Sequence, residues 1–130
     1  MLALKVPLGE LPVASTSFTS DVDVEVAGGA LTLRFTFRRD GVAYRGGVRF
    51  EKVRAYRWRT ESLCTAWHIE GVYDTIAEVE SSDWVEELQA AEPEHHRGFW
   101  VMRHFMLYVD SAGCFEAVAG AWALLEEEPV

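Results

Sequence analysis

From residue 99 to residue 123 apolar side chains fill both parities of two runs. These are Phe-Trp-Val-Met-Arg-His-Phe-Met-Leu-Tyr-Val-Asp and Cys-Phe-Glu-Ala-Val-Ala-Gly-Ala-Trp-Ala, with Ser-Ala-Gly between them. Two such runs about a short polar turn predict a central β-hairpin covered on both faces. Taking Ser111, Ala112 and Gly113 as the loop sets Asp110 opposite Cys114, Val109 opposite Phe115, Leu107 opposite Ala117 and Phe105 opposite Ala119. Large side chains then lie opposite small ones, as a packed layer needs. The same register puts His104, Tyr108 and Glu116 on the second face, with Tyr108 opposite Glu116.

Earlier in the chain the alternation is cleaner. Val22, Val24 and Val26 alternate with Asp21, Asp23 and Glu25, predicting a half-buried strand with an acidic outer face. A Gly28-Gly29 turn then pairs Val26 with Leu31, Val24 with Leu33 and Val22 with Phe35, and sets Asp23 opposite Arg34. Arg39-Asp40-Gly41 predicts the next turn and Gly46-Gly47 another break. Residues 48–59 read as one long strand whose apolar parity changes near Glu51-Lys52, as a bulge or burial on both faces would produce. Residues 61–70 fit both a short helix stopped by Gly71 and a strand; the reading adopted is irregular structure with a turn of helix. A strand is expected over 73–79. Ser82 or Asp83 caps a helix over 82–91, whose stripe is Trp84, Val85, Leu88 and Ala91 and whose stop is Pro93. Residues 1–17 are weakly patterned, with a short edge strand at 2–6 ended by Pro7, and 124–130 read as a frayed acidic tail. The expected fold is therefore a single α+β domain, mainly antiparallel sheet built from hairpins in meander order with one main α-helix packed on it.

Composition leaves that picture unchanged: 130 residues, 49% of them hydrophobic, suit one globular domain. No apolar run reaches the ~20 residues of a membrane span. Pro7, Gly9, Glu10 and Pro12 interrupt the apolar start before a signal-peptide core forms, so the two cysteines are expected as reduced thiols in a cytoplasm. Charge adds more. Residues 34–59 carry a balance of +7, residues 60–130 one of −13 and residues 1–33 one of −3, within a total of −9. Basic strands beside acidic ones would answer each other at the surface.

Tyr73-Asp74-Thr75, Glu78-Val79 and Ser82-x-Trp84 resemble segments of small acidic bacterial α+β proteins, some of them immunity proteins of polymorphic-toxin loci. So do His104-Phe105 and Tyr108-x-Asp110-x-x-Gly113-x-x-Glu116-x-x-Ala119. The resemblance covers roughly a third of the chain and carries no catalytic motif. It implies a non-catalytic bacterial interaction protein.

An acidic surface facing a basic protein partner is the function this combination favours. Glu78, Glu80, Asp83, Glu86, Glu87, Glu92 and Glu94 are its candidate residues. The alternative is a small-molecule or enzymatic pocket near Trp67, His68, His104 and Tyr108, with Glu116 beside them. No cofactor is implied. A zinc set of Cys64, His68, His104 and Cys114 is disfavoured, because the hairpin separates His104 from Cys114 by ~20 Å. His95-His96 reads as a solvated loop. Interleaved basic and aromatic residues over 44–59 (Tyr44, Arg45, Arg49, Lys52, Arg54, Tyr56, Arg57, Trp58, Arg59) could stack bases, but a net charge of −9 opposes attraction to a polyanion.

Overall fold

Alternation and turn chemistry build two antiparallel sheets in a computed structural model that describes residues 4–130. The strands are β1 (Leu4–Glu10), β2 (Asp23–Ala27), β3 (Ala30–Arg39), β4 (Val42–Glu51), β5 (Ala55–Arg59), β6 (Thr75–Glu80), β7 (Arg103–Val109), β8 (Gly113–Ala119), β9 (Ala121–Leu124) and β10 (Glu128–Pro129). The helices are α1 (Ala66–Ile69) and α2 (Asp83–Ala91), and 3-10 turns occupy Ser15–Ser17, Glu61–Leu63 and Glu94–His96. This is the α+β class that the sequence predicts. The first sheet has the order β1-β6-β7-β8-β5; in the second, β2, β3 and β4 form a meander whose far edge pairs with β10 and β9. The first sheet is thus not a meander, because β5 joins it from the far side of the chain order.

The β2–β3 hairpin has the predicted register, with Asp23 opposite Arg34, Val24 opposite Leu33 and Val26 opposite Leu31. Val22 precedes the strand. Asp40 and Gly41 make the next turn, both at positive φ (51° and 78°), which matches a type I′ connection. Gly46 and Gly47, by contrast, do not break the chain. They lie buried inside β4, where a Cβ on Gly47 would stand 2.3 Å from the Leu33 carbonyl oxygen. Close packing selects glycine there.

The predicted long strand over 48–59 is two strands in different sheets. Lys52 takes φ 55°, and the chain crosses from the second sheet to the first. The partner ribbon turns at the same place, since β8 gives way through Gly120 to β9. Gly120 N–H donates to the Glu51 carbonyl (2.9 Å) and Arg54 N–H to that of Val118 (2.7 Å), so pairing continues round the corner. A corner formed by strands that switch sheets joins the two layers.

β7 and β8 are central and buried on both faces, as predicted, but the hairpin starts at Arg103, and Phe99 and Val101 are exposed. Its register differs by two residues. Val109 faces Gly113, Leu107 faces Phe115, Tyr108 faces Cys114 and Met106 faces Glu116. The loop is Asp110, Ser111 and Ala112, with Ser111 at φ 63°. Gly113 belongs to the ladder, and glycine is needed there because a Cβ would lie 2.1 Å from the Arg59 carbonyl oxygen.

Between the sheets Leu31, Leu33, Phe35, Phe37, Val48 and Phe50 meet Ile76, Phe105, Leu107, Val109, Phe115 and Ala117. On the outer face of the first sheet, Val72, Ala77, Val79, Met106, Tyr108 and Cys114 form a second layer under Cys64 and Ile69. α2 lies on that face too. Ser82 caps it by accepting the Val85 N–H (3.2 Å), but Trp84, Val85 and Leu88 are only half-buried and Ala91 is exposed. The single turn α1, stopped before Gly71 (φ 77°), agrees with the adopted reading of 61–70. The predicted strand over 73–79 begins at Thr75. β1 runs through Pro7 to Glu10 as an edge strand on β6, with an irregularity between Pro7 and Gly9; an edge tolerates the missing N–H. The Leu2 and Ala3 part of the anticipated edge strand lies outside the described residues. The acidic tail is not frayed: Glu128 and Pro129 pair with Arg45 and Tyr44.

Candidate functional site

A serine, a histidine and a carboxylate meet on the outer face of the first sheet. Ser82 ends the loop before α2, His104 stands on β7 and Glu116 on β8, with exposures of 6%, 4% and 4%. The Ser82 oxygen accepts the Val85 N–H, and the same hydroxyl shares a hydrogen bond with His104 Nδ1 (2.8 Å). His104 Nε2–H then donates to Glu116 Oε1 (2.8 Å). Arg57 on β5 completes the array with two bonds to Glu116, Nε to Oε2 (2.9 Å) and Nη2 to Oε1 (3.1 Å). Its guanidinium lies over the Trp84 ring (3.9 Å to the centroid), and that ring meets His104 edge-on (5.1 Å). Burial raises the Glu116 pKa, but the hydrogen bonds from His104 and Arg57 and their charge outweigh it and bring the carboxyl down to about 2.

The order serine, imidazole, carboxylate is that of an acyl-transfer triad. The surroundings are not. Each polar atom is occupied by a neighbour, and neither the larger cleft nor the smaller hollow described below is lined by Ser82, His104 or Glu116. A fluorophosphonate probe is accordingly expected to leave Ser82 unlabelled in the native protein; a mass-spectrometric adduct there would restore the catalytic reading.

The other pocket candidates do not join this array. Tyr108, expected beside Glu116, instead faces Cys114 and packs against Tyr73 (5.4 Å), and burial with the nearby Glu61 raises its hydroxyl to about 12. Trp67 on α1 is exposed, with the Lys5 ammonium over its ring (4.0 Å to the centroid). His68 caps the same turn through Nδ1, which accepts the Thr65 N–H (3.0 Å); burial and Arg59 lower its pKa. Neither cavity is lined by Trp67, His68, His104, Tyr108 or Glu116. Among the described residues no group of three His, Cys, Asp or Glu side chains is placed to hold a metal. Both cysteines are free thiols, Cys114 buried and Cys64 partly so. Burial raises the Cys114 thiol to about 12. Native alkylation is expected to reach Cys64 first and Cys114 only after denaturation, and equal rates would place Cys114 at the surface.

The acidic set divides. Glu78 binds Arg103 (2.7 and 3.1 Å) and Glu92 binds Arg54 (2.9 Å). Glu80, Asp83, Glu86, Glu87 and Glu94 are exposed and outside every ion pair among the described residues. His95 and His96 are exposed on the turn beyond α2. The basic-aromatic stretch forms no common face, because β4 and β5 lie in different sheets. Arg54 stacks on Trp100 (4.1 Å) and Arg57 on Trp84. Arg45 and Arg49 line a 610 Å³ hollow with Arg34, Asp21, Asp23, Glu126 and Glu128, where both signs of charge meet.

A 970 Å³ cleft opens where β2 of one sheet and β5 of the other stand apart. Its walls include Phe18, Val22, Val24, Leu31, Tyr56, Trp58 and Phe115, with Ser15, Asp21, Arg57 and Asp110 among the polar groups. The Asp110 turn is held firmly: Tyr73 donates to its carboxylate (2.9 Å), its N–H donates to Ser15 Oγ (2.8 Å), and Trp58 Nε1 donates to the Ala112 carbonyl (2.9 Å). Sequence reasoning assigned the valines of β2 to a buried face and missed this cleft. The available signal was a pair of strands alternating apolar residues with charges of opposite sign, Asp-Val-Glu-Val on β2 and Tyr-Arg-Trp-Arg on β5. Compared with family models, with curated proteins and with solved structures, the chain matches none.

Proposed function

We propose that this chain is a non-catalytic interaction protein that binds a basic protein partner, the role its resemblance to immunity-type proteins implies. The carrying observation is the open cleft, where apolar side chains meet water beside the edges of β2 and β5, unpaired among the described residues, while the serine–histidine–glutamate array is sealed. Contiguous exposed apolar surface beside a free edge suits an added extended segment. The charges on β2 select its chemistry: Asp23 and Glu25 favour a strand that alternates apolar residues with lysine or arginine. The exposed carboxylates Glu80, Asp83, Glu86, Glu87 and Glu94 would steer such a partner through the net charge of −9. Two free thiols suit a cytoplasmic setting, and no helix among the described residues is long and apolar enough to cross a membrane.

The test is a pair of short peptides, one alternating valine with lysine and the other valine with glutamate. The lysine peptide is expected to shift the amide resonances of β2 and to lose affinity as salt rises, with no response to the glutamate peptide. Equal responses, or none, would remove the cleft as the binding face.

A further inference from the structure

β2 and β5 fit each other better than either fits itself. Val24 and Val26 are 47% and 50% exposed on the cleft side of β2, while Asp23 and Glu25 alternate with them. Tyr56 and Trp58 are 50% and 56% exposed on the same side of β5, while Arg57 and Arg59 alternate with them. Each strand has five residues, and among the described residues each pairs along one edge only, β2 with β3 and β5 with β8. Within one molecule the cleft keeps them apart.

Joining β2 to a second β2 would align acids with acids, and joining β5 to a second β5 would align arginines with arginines. Pairing β2 with β5 sets carboxylates against guanidiniums on one face and valines against aromatic rings on the other. We propose that a second copy of this chain occupies the cleft, with β5 of one copy adding to β2 of the other. The proposal rests on the reading of the cleft as a protein-binding face and names the partner segment. Arg57 is already engaged by Glu116 and Glu25 by Arg34 (3.3 Å), so Arg59 is the cation that the contact recruits, and Asp23, outside every ion pair among the described residues, is its natural acceptor. The net charge of −9 opposes approach at long range, which makes association a property of concentrated protein. Each β2–β5 contact joins unlike surfaces, so two of them about a two-fold axis close a dimer while one alone propagates, and the mass reached reports which occurs.

Sedimentation velocity from roughly 10 μM to roughly 1 mM covers the range expected of a contact below ~1,200 Å². The wild-type sedimentation coefficient is expected to rise with concentration. Two variants, Asp23→Arg with Glu25→Arg in one chain and Arg59→Glu in another, should each stay monomeric with unchanged circular dichroism. Mixed in equal amounts they should associate again, because the intact β5 of the first meets the intact β2 of the second. A wild-type protein that stays monomeric throughout overturns the proposal, as do variants that associate like wild type, or folded variants whose mixture stays monomeric. A peptide of residues 53–60 separates the two readings. If it shifts β2 resonances on a monomeric wild-type protein, the cleft stays a protein-binding face and only the second copy is removed; without that response both readings fall.

Discussion

Glu116→Ala is expected to lower the unfolding free energy at neutral pH by about 3 kcal/mol, the low end of the range for removing one partner from a buried ion pair, because the Arg57 side chain is half exposed and water takes up part of its charge. The substitution strips the acceptor from His104 Nε2–H inside the fold and leaves Arg57 without its carboxylate. Glu116→Gln keeps one acceptor and the shape, so about 1–3 kcal/mol should go with the charge. Acid provides a second readout. The folded carboxyl is held near 2 against an ordinary value of 4.5, so its stabilising contribution is complete above 4.5 and disappears as the pH falls toward 2. A shift of that size is worth about 3 kcal/mol, lost between roughly pH 5 and pH 2. Urea unfolding at pH 7, 5 and 3 measures it. The wild type and Glu116→Ala curves should converge in acid; if the variant loses stability as steeply as wild type, another group carries the acid sensitivity.

The same residues show why the array escaped the sequence. Assigning Ser111, Ala112 and Gly113 to the loop slipped the β7–β8 pairing by two positions, which preserves every face because side chains repeat every second residue. The two-sided apolar layer was therefore legible while the contacts were not: Tyr108 moved away from Glu116, and His104 came within hydrogen-bond reach of it. A glycine after a short polar loop reads naturally as a turn residue. Here its lack of a side chain answers to the Arg59 carbonyl, a contact 54 residues away in sequence that no local pattern reveals.

A similar limit applies to β2. Its alternation correctly announced a strand, and the Gly28-Gly29 turn fixed its register against β3. Alternation does not say what covers the apolar side, however, and the layer opposite Val24 and Val26 ends at β5 across an open cleft. The chain change at Lys52 is the cause. Once β4 and β5 belong to different sheets, the basic-aromatic stretch cannot form one platform, and its arginines turn to Glu92, Glu116 and two tryptophans. The helix over 82–91 was readable because cap, charge and stop are all local. Its stripe is less buried than predicted, since α2 lies on a face that β7 and β8 have already covered in part with their own side chains.

Gly113→Ala should be among the most damaging single substitutions in the chain, with an expected loss of about 4 kcal/mol. Two costs combine in that figure. A φ of 114° is strained for any residue with a Cβ, and the new carbon would sit 2.1 Å from the Arg59 carbonyl oxygen and 3.1 Å from the Glu61 amide nitrogen. Backbone strain of this kind and forced repacking each contribute on the order of 1–3 kcal/mol. Backbone, not a flexible side chain, blocks the space, so relief requires β8 and the end of β5 to separate. That movement would loosen the pairing of Arg59 with Cys114 and the bond from Trp58 to Ala112, the latter between two residues that line the cleft. Gly28→Ala provides the control, because it also has positive φ but nothing within 4 Å of the added carbon. Urea unfolding should show a loss of about 1 kcal/mol for the control. Equal losses at the two positions would mean that φ alone sets the cost and that the contact with Arg59 is relieved without strain. A larger loss at Gly113, accompanied by faster alkylation of Cys114, would locate the damage at the β5–β8 junction that forms one wall of the cleft.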